Sequence, residues 1–452
     1  MDPLFLKRMK EITGDEYEQY VRSLETPLFR GVRLSGLKQA EEKTRESLSQ
    51  LKEPTPFAGQ AYRTDASLGL HPAHLQGLIY LQEPSAMSAV EVLNPDPDDV
   101  VLDLCAAPGS KSTQIVQKLK NGFLLSNEID AKRAQTLLSN MERMGAENFM
   151  VTNNDAQTLS KSLENVFDKI LVDAPCSGEG MMKKHEAAMN EWSLPNVLLC
   201  SARQKDILKE AWKMLKPGGQ MVYSTCTYAK EENEQNVAWL LEQFSDAKQL
   251  PIDVNWGRPG IETEGMDASK VRRIFPMDGG EGHFIARFEK VRQPDEEMPK
   301  PKSLWIEKSD KLPDEARKFI ESQTDQPFTH YRVVNGKVYG MNHPFMNLKK
   351  AKVLRQGVFI GETVKNRFEP EYAFFMSSTM ALHSKTKTDT SLEEMDKYFH
   401  GEQLPISAPA GYRTLCYRGI PYGFGKSSQS RITNKLPKGL RLKPDSHIKE
   451  DF

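Results

Sequence analysis

The stretch Val100-Val101-Leu102-Asp103-Leu104-Cys105-Ala106-Ala107-Pro108-Gly109-Ser110-Lys111 decides the fold. Its first five residues are a short apolar run of strand composition. An Ala-Pro-Gly turn follows, and residues 112–120 then read as a helix. The unit repeats down the chain. Residues 123–128 predict a second strand and 131–144 a second helix; 149–152 and 169–173 predict a third and a fourth strand. A helix near 199–215 is expected to stop at Lys216-Pro217-Gly218-Gly219, before a fifth strand at 220–225 and a helix rich in Glu and Asn. Residues 283–288 close the series. Strands alternating with helices predict an α/β fold, a doubly wound and mostly parallel sheet. Ligands are then expected at the carboxyl ends of its strands.

The loop Cys105, Ala106, Ala107, Pro108, Gly109, Ser110, Lys111 leaves the first strand and opens the first helix. Small residues let a ligand approach the backbone, and amides at a helix start attract an electronegative group. The spacing is neither GxGxxG nor GxxxxGK[ST], so the dinucleotide and P-loop readings fail. Glu128 stands at the end of the second strand, 25 residues beyond Asp103. A carboxylate there can accept from both hydroxyls of a ribose. Asp155, after the third strand, can face an adenine amino group. A ribose, an adenine and no phosphate fit S-adenosylmethionine (AdoMet). The competing reading is a tight strand–helix turn without a ligand.

Working outward, residues 1–80 read as a small α/β module. Phe5, Leu6, Met9 and Ile12 have helical spacing, 27–34 reads as a short strand, and 42–53 as a charged helix. The α/β core spans 81–291. The polar, Pro-rich run 293–302 reads as a linker, so 292–375 is taken as linker and small α/β domain and 376–452 as a last domain. Within the former, Asn335-Gly336 predicts a hairpin turn.

Of the 452 residues, 38% are hydrophobic and 27% charged, as for a globular chain, and no apolar run reaches membrane-spanning length. The first eight residues lack the apolar region of a signal peptide, which predicts a cytoplasmic protein. Five cysteines without a C-x-x-C pair argue against a zinc site or a disulfide scaffold; no metal is expected. The net charge is −1, yet residues 411–443 carry eight bases and no acid, with Tyr412, Tyr417, Tyr422 and Phe424 among them. Bases attract phosphates and aromatic faces stack on unpaired bases, so RNA contact is expected there, against a solvated surface over ordinary core aromatics.

Two cysteines end strands: Cys176 in Asp173-Ala174-Pro175-Cys176-Ser177-Gly178-Glu179-Gly180, and Cys226 in Tyr223-Ser224-Thr225-Cys226-Thr227. Methyl transfer to carbon 5 of a pyrimidine needs such thiols. That carbon is a poor nucleophile until a thiolate adds to carbon 6 and makes the ring enamine-like. Asp173 can hydrogen-bond the ring's nitrogen and amino edge and stabilise the charge that develops. The second thiol can assist release. The residues alone leave open which cysteine attacks.

At these residues the chain resembles the RNA 5-methylcytosine methyltransferase family (the Sun/Fmu group). The segments are 82–87, 105–111, 127–130, 173–180, 223–227 and 280–284, in the family's order. The resemblance implies a Rossmann-like AdoMet-dependent core, with Cys226 as nucleophile and Cys176 resolving the covalent intermediate. It implies that residues 105–111, Glu128, Asp155 and Asp173 hold AdoMet, with Lys111 orienting Asp173. Ser110 departs from the Gly of many members. Among bacterial members the chain is similar to the RsmF-type small-subunit rRNA enzymes, which carry a C-terminal PUA-like domain. That implies an N-terminal RNA-binding module, an RNA partner (16S rRNA, or the 30S subunit or an assembly intermediate) and a monomer. A tRNA substrate and a non-catalytic assembly factor are the alternatives.

Other residues read as structural. Trp192, Trp212, Cys200 and Cys416 are expected in cores, and His185 on a surface helix; Lys183 and Lys184 are candidate phosphate contacts.

Overall fold

The computed structural model describes residues 2–184, 192–292 and 304–451; His185 and the 293–302 linker lie outside them. The chain opens with two helices, Pro3–Thr13 and Tyr17–Leu24. Asp2 caps the first, accepting from the Leu4 N–H at 2.7 Å, and Phe5 and Met9 are buried on its inner face. An antiparallel sheet follows: β1 (Gly31–Leu34) lies between β2 (Ala61–Arg63) and β3 (Ile79–Gln82). The predicted strand at 27–34 is thus only its second half, because the Phe29 N–H turns away to donate to Glu281 at 2.6 Å. The predicted helix at 42–53 is shorter too, Glu41–Ser47; Leu48 leaves helical geometry and packs inward at 3% exposure.

The central sheet contains β4 (Val100–Asp103), β5 (Phe123–Asn127), β6 (Phe149–Thr152), β7 (Phe167–Asp173) and β8 (Leu215–Thr225). These five are parallel and lie in the order β8-β7-β4-β5-β6. The winding reverses between β4 and β7, where doubly wound sheets bind ligands. Each strand has an apolar centre because it is covered there on both faces. Leu102, Leu125, Met150 and Ile170 enter one core, while Val101, Leu124, Val151 and Leu171 enter the other. β9 (Ala247–Leu250), β10 (Val271–Ile274) and β11 (His283–Lys290) complete the β8 edge, β11 pairing β8 antiparallel.

Two helix boundaries differ from the sequence expectation. The helix after β4 is Ser110–Val116, since the N–H groups of Lys120, Asn121 and Gly122 turn to the Pro97 carbonyl. The helix Leu194–Met214 starts five residues earlier than expected and stops where expected, before Lys216-Pro217-Gly218-Gly219, which forms the start of β8 across a register shift.

Beyond the core, β12 (Trp305–Ile306) pairs β15 (Phe345–Met346), and β13 (His330–Val334) and β14 (Lys337–Met341) form the expected hairpin. Asn335 and Gly336 both have positive φ, 50° and 81°, as a type I′ turn requires. β16 (Val353–Gln356) returns to the central sheet and pairs β6, while β17 (Val358–Val364) and β18 (Arg367–Pro370) extend the hairpin.

The last sheet is β19 (Lys387–Asp389), β20 (Ala408–Tyr417), β21 (Ile420–Gln429) and β22 (Ile432–Asn434). It corrects the expectation for 411–443. Tyr422 and Phe424 are core side chains at 0% and 3% exposure, the latter stacked 4.3 Å from Phe375, so neither can meet a base. Tyr412 and Tyr417 are half-buried, and seven of the eight bases, all but Arg413, are exposed. Among the described residues no helix is long and apolar enough to cross a membrane.

Candidate active site

A cleft of about 880 Å³ opens at the carboxyl ends of the parallel strands, lined among others by Cys105, Glu128, Asp155, Asp173, Cys176 and Cys226. The β4 loop forms one wall. Its Ala106 N–H donates to the Asn127 carbonyl at 2.8 Å, and Asn127 also bonds Leu104 and Asn154, so one side chain ties the ends of β4, β5 and β6 together. Gly109 has φ +107°, and a Cβ there would lie 3.0 Å from Leu137, which leaves glycine as the residue that fits. Ala106 is buried, Ser110 half-buried and Pro108 exposed. The N-terminal module braces this loop: the guanidinium of Arg33, buried at 2% exposure, donates to the Ser110 carbonyl, Thr113 and Gln117.

Glu128 accepts the Ala107 N–H at 3.3 Å and the Asp130 N–H at 2.9 Å, which fixes its carboxylate at the cleft. Asp155 also lines the cleft, but its two oxygens take the N–H and hydroxyl of Thr158, both at 2.8 Å, as the cap of helix Ala156–Ser160. Those bonds hold its carboxyl below its ordinary value.

Sequence reasoning passed over Asp103 as a site residue. One of its oxygens accepts from Ser112 Oγ at 2.6 Å; the other, Oδ1, is buried and has no partner. Burial pushes this carboxyl up to about 7.

The other wall carries the sulfurs. Cys176 Sγ and Cys226 Sγ lie 3.2 Å apart, on the loops after β7 and β8, and both are half-buried. The hydrogen bond to Cys226 and burial push the Cys176 thiol up, and either sulfur can donate in that contact. Beside them, Asp173 accepts from Lys111 Nζ at 2.8 Å and from Ser224 Oγ at 2.7 Å. Burial alone would raise the Asp173 carboxyl; the Lys111 ammonium, His283 and these hydrogen bonds bring it below its ordinary value. His283 Nε2 stands 3.8 Å from Asp173, buried and unpartnered. Burial lowers His283 to about 4, so the approach is not an ion pair near neutrality.

Two buried acids hold the sulfur loops. Glu179 accepts from Trp192 Nε1 at 2.8 Å and, with its other oxygen, from the Thr227 hydroxyl and the Tyr228 N–H, both at 3.0 Å. Glu232 accepts the Ser177 N–H at 3.0 Å, and burial pushes it up to about 7. The segments 82–87 and 280–284 meet behind this wall, where Glu83 accepts the Glu281 N–H at 3.0 Å. Lys183 turns inward to Thr26 and Pro27, while Lys184 is exposed. Trp192, Trp212, Cys200 and Cys416 are buried, as expected.

Among the described residues, Asp396, His400 and His447 bring three ligand-type atoms within 4.8 Å of one another. Both ring nitrogens of His400 face carbonyl oxygens, of Asp396 at 2.8 Å and Lys443 at 3.3 Å. That is the setting of a protonated imidazole, which has no lone pair for a metal.

Comparison with known proteins agrees along the whole length. Four family models match: N-terminal domain of 16S rRNA methyltransferase RsmF over residues 1–84, 16S rRNA methyltransferase RsmB/F over 90–289, RsmF rRNA methyltransferase first C-terminal domain over 318–377, and methyltransferase RsmF PUA domain over 385–442. Ribosomal RNA small subunit methyltransferase F of Vibrio parahaemolyticus is 32% identical, with 96% of each chain covered. The protein of that name from Pectobacterium atrosepticum is 31% identical, over 96% of this chain and 95% of its own. Among solved structures, a methyltransferase homologue from Pyrococcus horikoshii has a TM-score of 0.57 at 30% identity, covering 64% of this chain and 96% of its own. NSun6 from the same organism, solved with SFG, has a TM-score of 0.56 at 24% identity, over 64% and 98%, and shares the fold. With relatives matched nearly end to end and all four domain models in register, the chain belongs to the RsmF family of 16S rRNA methyltransferases.

Proposed function

We propose that the protein transfers a methyl group from AdoMet to carbon 5 of a cytosine in 16S rRNA, with Cys226 as the covalent nucleophile. The observation that carries the reading is the pair of sulfurs 3.2 Å apart beside an Asp173 held by Lys111. One thiol has to add to the ring and the other to help it leave; burial and the contact with Cys226 raise the Cys176 thiol, which favours Cys176 as the proton-bearing partner. Addition of the Cys226 sulfur to carbon 6 develops negative charge in the ring; Asp173 would accept from the ring's amino group, and the Lys111 ammonium held beside it would offset the charge. Once carbon 5 has been alkylated, its proton passes to water in the cleft, the C–H electron pair restores the double bond, and the sulfur leaves carbon 6 as a thiolate. Cys176 assists that departure.

The residues present fit the cofactor. AdoMet supplies an electrophilic methyl group on a sulfonium. Glu128 would accept from its ribose hydroxyls and Asp155 would lie toward its adenine. The unpartnered Asp103 oxygen suits a cationic group of the ligand, and residues Cys105–Lys111 offer a close backbone approach. The N-terminal module and the PUA-like domain would grip RNA around the cleft, and the protein would act as a cytoplasmic monomer.

Replacing Cys226 with Ala is expected to lower methylation on the order of 10⁴-fold or more, as for other covalent nucleophiles, with AdoMet affinity nearly unchanged. Residual turnover near the wild-type rate would rule out the mechanism. Cys176→Ala is expected to leave a protein–RNA adduct that survives denaturing electrophoresis; an active variant without adduct would remove Cys176 from the release step. Bisulfite sequencing of total RNA, with and without the gene, reads the target. Loss of a 16S rRNA cytosine signal supports the proposal, and loss confined to tRNA replaces it.

A further inference from the structure

We propose that the loop Asn347-Leu348-Lys349-Lys350-Ala351-Lys352, between β15 and β16, contacts substrate RNA phosphates at the mouth of the cleft. The proposal rests on the RNA-methyltransferase reading and assigns part of the substrate's path. The loop belongs to the C-terminal half, yet it is fixed to the rim of the cofactor cleft. β16 pairs β6 with Val353 opposite Thr152. The Asn153 N–H donates to the Lys352 carbonyl at 3.0 Å, and the Lys352 N–H donates to the Asn154 side chain at 2.9 Å. Asn154 and Asp155 line the cleft itself. Leu348 and Ala351 pack down on the central core, while Lys349, Lys350 and Lys352 are exposed.

Charge and spacing suit a nucleic-acid strand. The loop has three lysines and no acid, and among the described residues no carboxylate forms an ion pair with any of them. Lys161, on the adjoining turn, is exposed as well, and Ser162 Oγ donates to the Lys349 carbonyl at 3.3 Å. Across the mouth, helix Leu194–Met214 presents Arg203 and Lys209, with Asp206 between them. Of the acids on the loop's side, Asp155 caps its helix by accepting from Thr158, Glu210 is bonded to Ser160 and Lys213, and Glu164 on the adjoining turn is exposed. From β6 to β7 is three strand spacings, about 14 Å. A strand whose base sits between Asp173 and Cys226 can therefore reach the lysine rim within a few nucleotides of that base. Cations at that distance neutralise flanking phosphates without touching the reacting atoms.

The test uses the full-length protein, protein-free 16S rRNA and a salt titration. The pair Lys349→Ala and Lys350→Ala is expected to weaken RNA binding about tenfold and to flatten the dependence of log K on log salt by about 1–2. AdoMet affinity should be unchanged, and Lys349→Arg with Lys350→Arg should bind as wild type. Wild-type affinity and slope in the alanine pair would overturn the contact. So would a fall in RNA affinity matched by a fall in AdoMet affinity, which would place the effect on the fold of the rim. If wild-type protein neither binds nor methylates 16S rRNA, the proposed function itself fails, a different outcome from failure of the loop.

Discussion

Two buried acids stand behind the cleft, and they are finished differently. Glu179, after β7, has both oxygens taken: one by Trp192, the other by Thr227 and Tyr228. Asp103, at the end of β4, has one oxygen bonded to Ser112 and the other bare. Both are 3% exposed or less, and burial raises both carboxyls. A saturated carboxylate is a strut. Glu179 couples the loop that carries Cys176 to the residues that follow Cys226, and so fixes the separation of the sulfurs. A buried acceptor without a donor costs free energy unless something arrives to satisfy it, so Asp103 marks where a donor or a cation is missing. The same residue chemistry thus holds geometry at one wall and, on the proposed function, would meet the ligand at the other.

The largest effect should come from the strut. Glu179→Ala strands three buried donors and is expected to cost about 3 kcal/mol or more of folding stability, lowering Tm in calorimetry. Methylation should fall beyond what the unfolded fraction explains, because the sulfurs lose their common anchor. A variant with unchanged Tm would show that Glu179 is no strut, and the contrast with Asp103 would break.

Asp103→Asn should behave in the opposite way. It removes a carboxyl that burial already pushes toward its neutral form, so stability at neutral pH should hold or rise slightly. AdoMet affinity should fall about tenfold, roughly 1.4 kcal/mol, by isothermal titration. A variant that binds AdoMet normally would remove Asp103 from the ligand site and leave its bare oxygen without an explanation.

How far this division was legible in the sequence depends on the range of the interactions. The five parallel strands were visible because each has a short apolar centre buried on two faces, a property of a few consecutive residues. Cys105–Lys111, Glu128 and Asp173 stood out because they end such strands. Glu179 stands within its motif with no role legible from it, because its partners lie 13 to 49 residues away. Arg33 and β16 were hidden for the same reason: Arg33 meets the cofactor-loop helix 77 to 84 residues later, and β16 finds β6 some 200 residues earlier. The tail misled in the other direction. Tyr422 and Phe424 share a strand with exposed Lys426, but composition does not say which residues of a strand face inward, and here those two do. Lys216-Pro217-Gly218-Gly219 does mark the end of the helix, at Met214, and what its composition did not show is that it also shapes the bulged entry of β8.

The smallest effect is the most specific to the comparison, because it follows the proton on Asp103. Burial raises its carboxyl from 3.8 to about 7, so the folded protein without ligand keeps this proton over a pH range where the unfolded chain has lost it. The stability this group contributes is therefore present at low pH and declines as pH rises from about 4 to about 7, then levels. A cation bound at the bare oxygen favours the ionised form, so binding below pH 7 must displace the proton. AdoMet affinity should then be level above about pH 7.5 and weaken toward a tenfold loss per unit below 7, reaching about tenfold near pH 6. The Asp103→Asn variant should lack this limb. Glu179 predicts no such limb of its own, since its oxygens are occupied by the protein whether or not the cleft is filled. A pH profile identical in wild type and Asp103→Asn would mean that the cofactor's charge is met elsewhere, with Glu128 the carboxylate to test next.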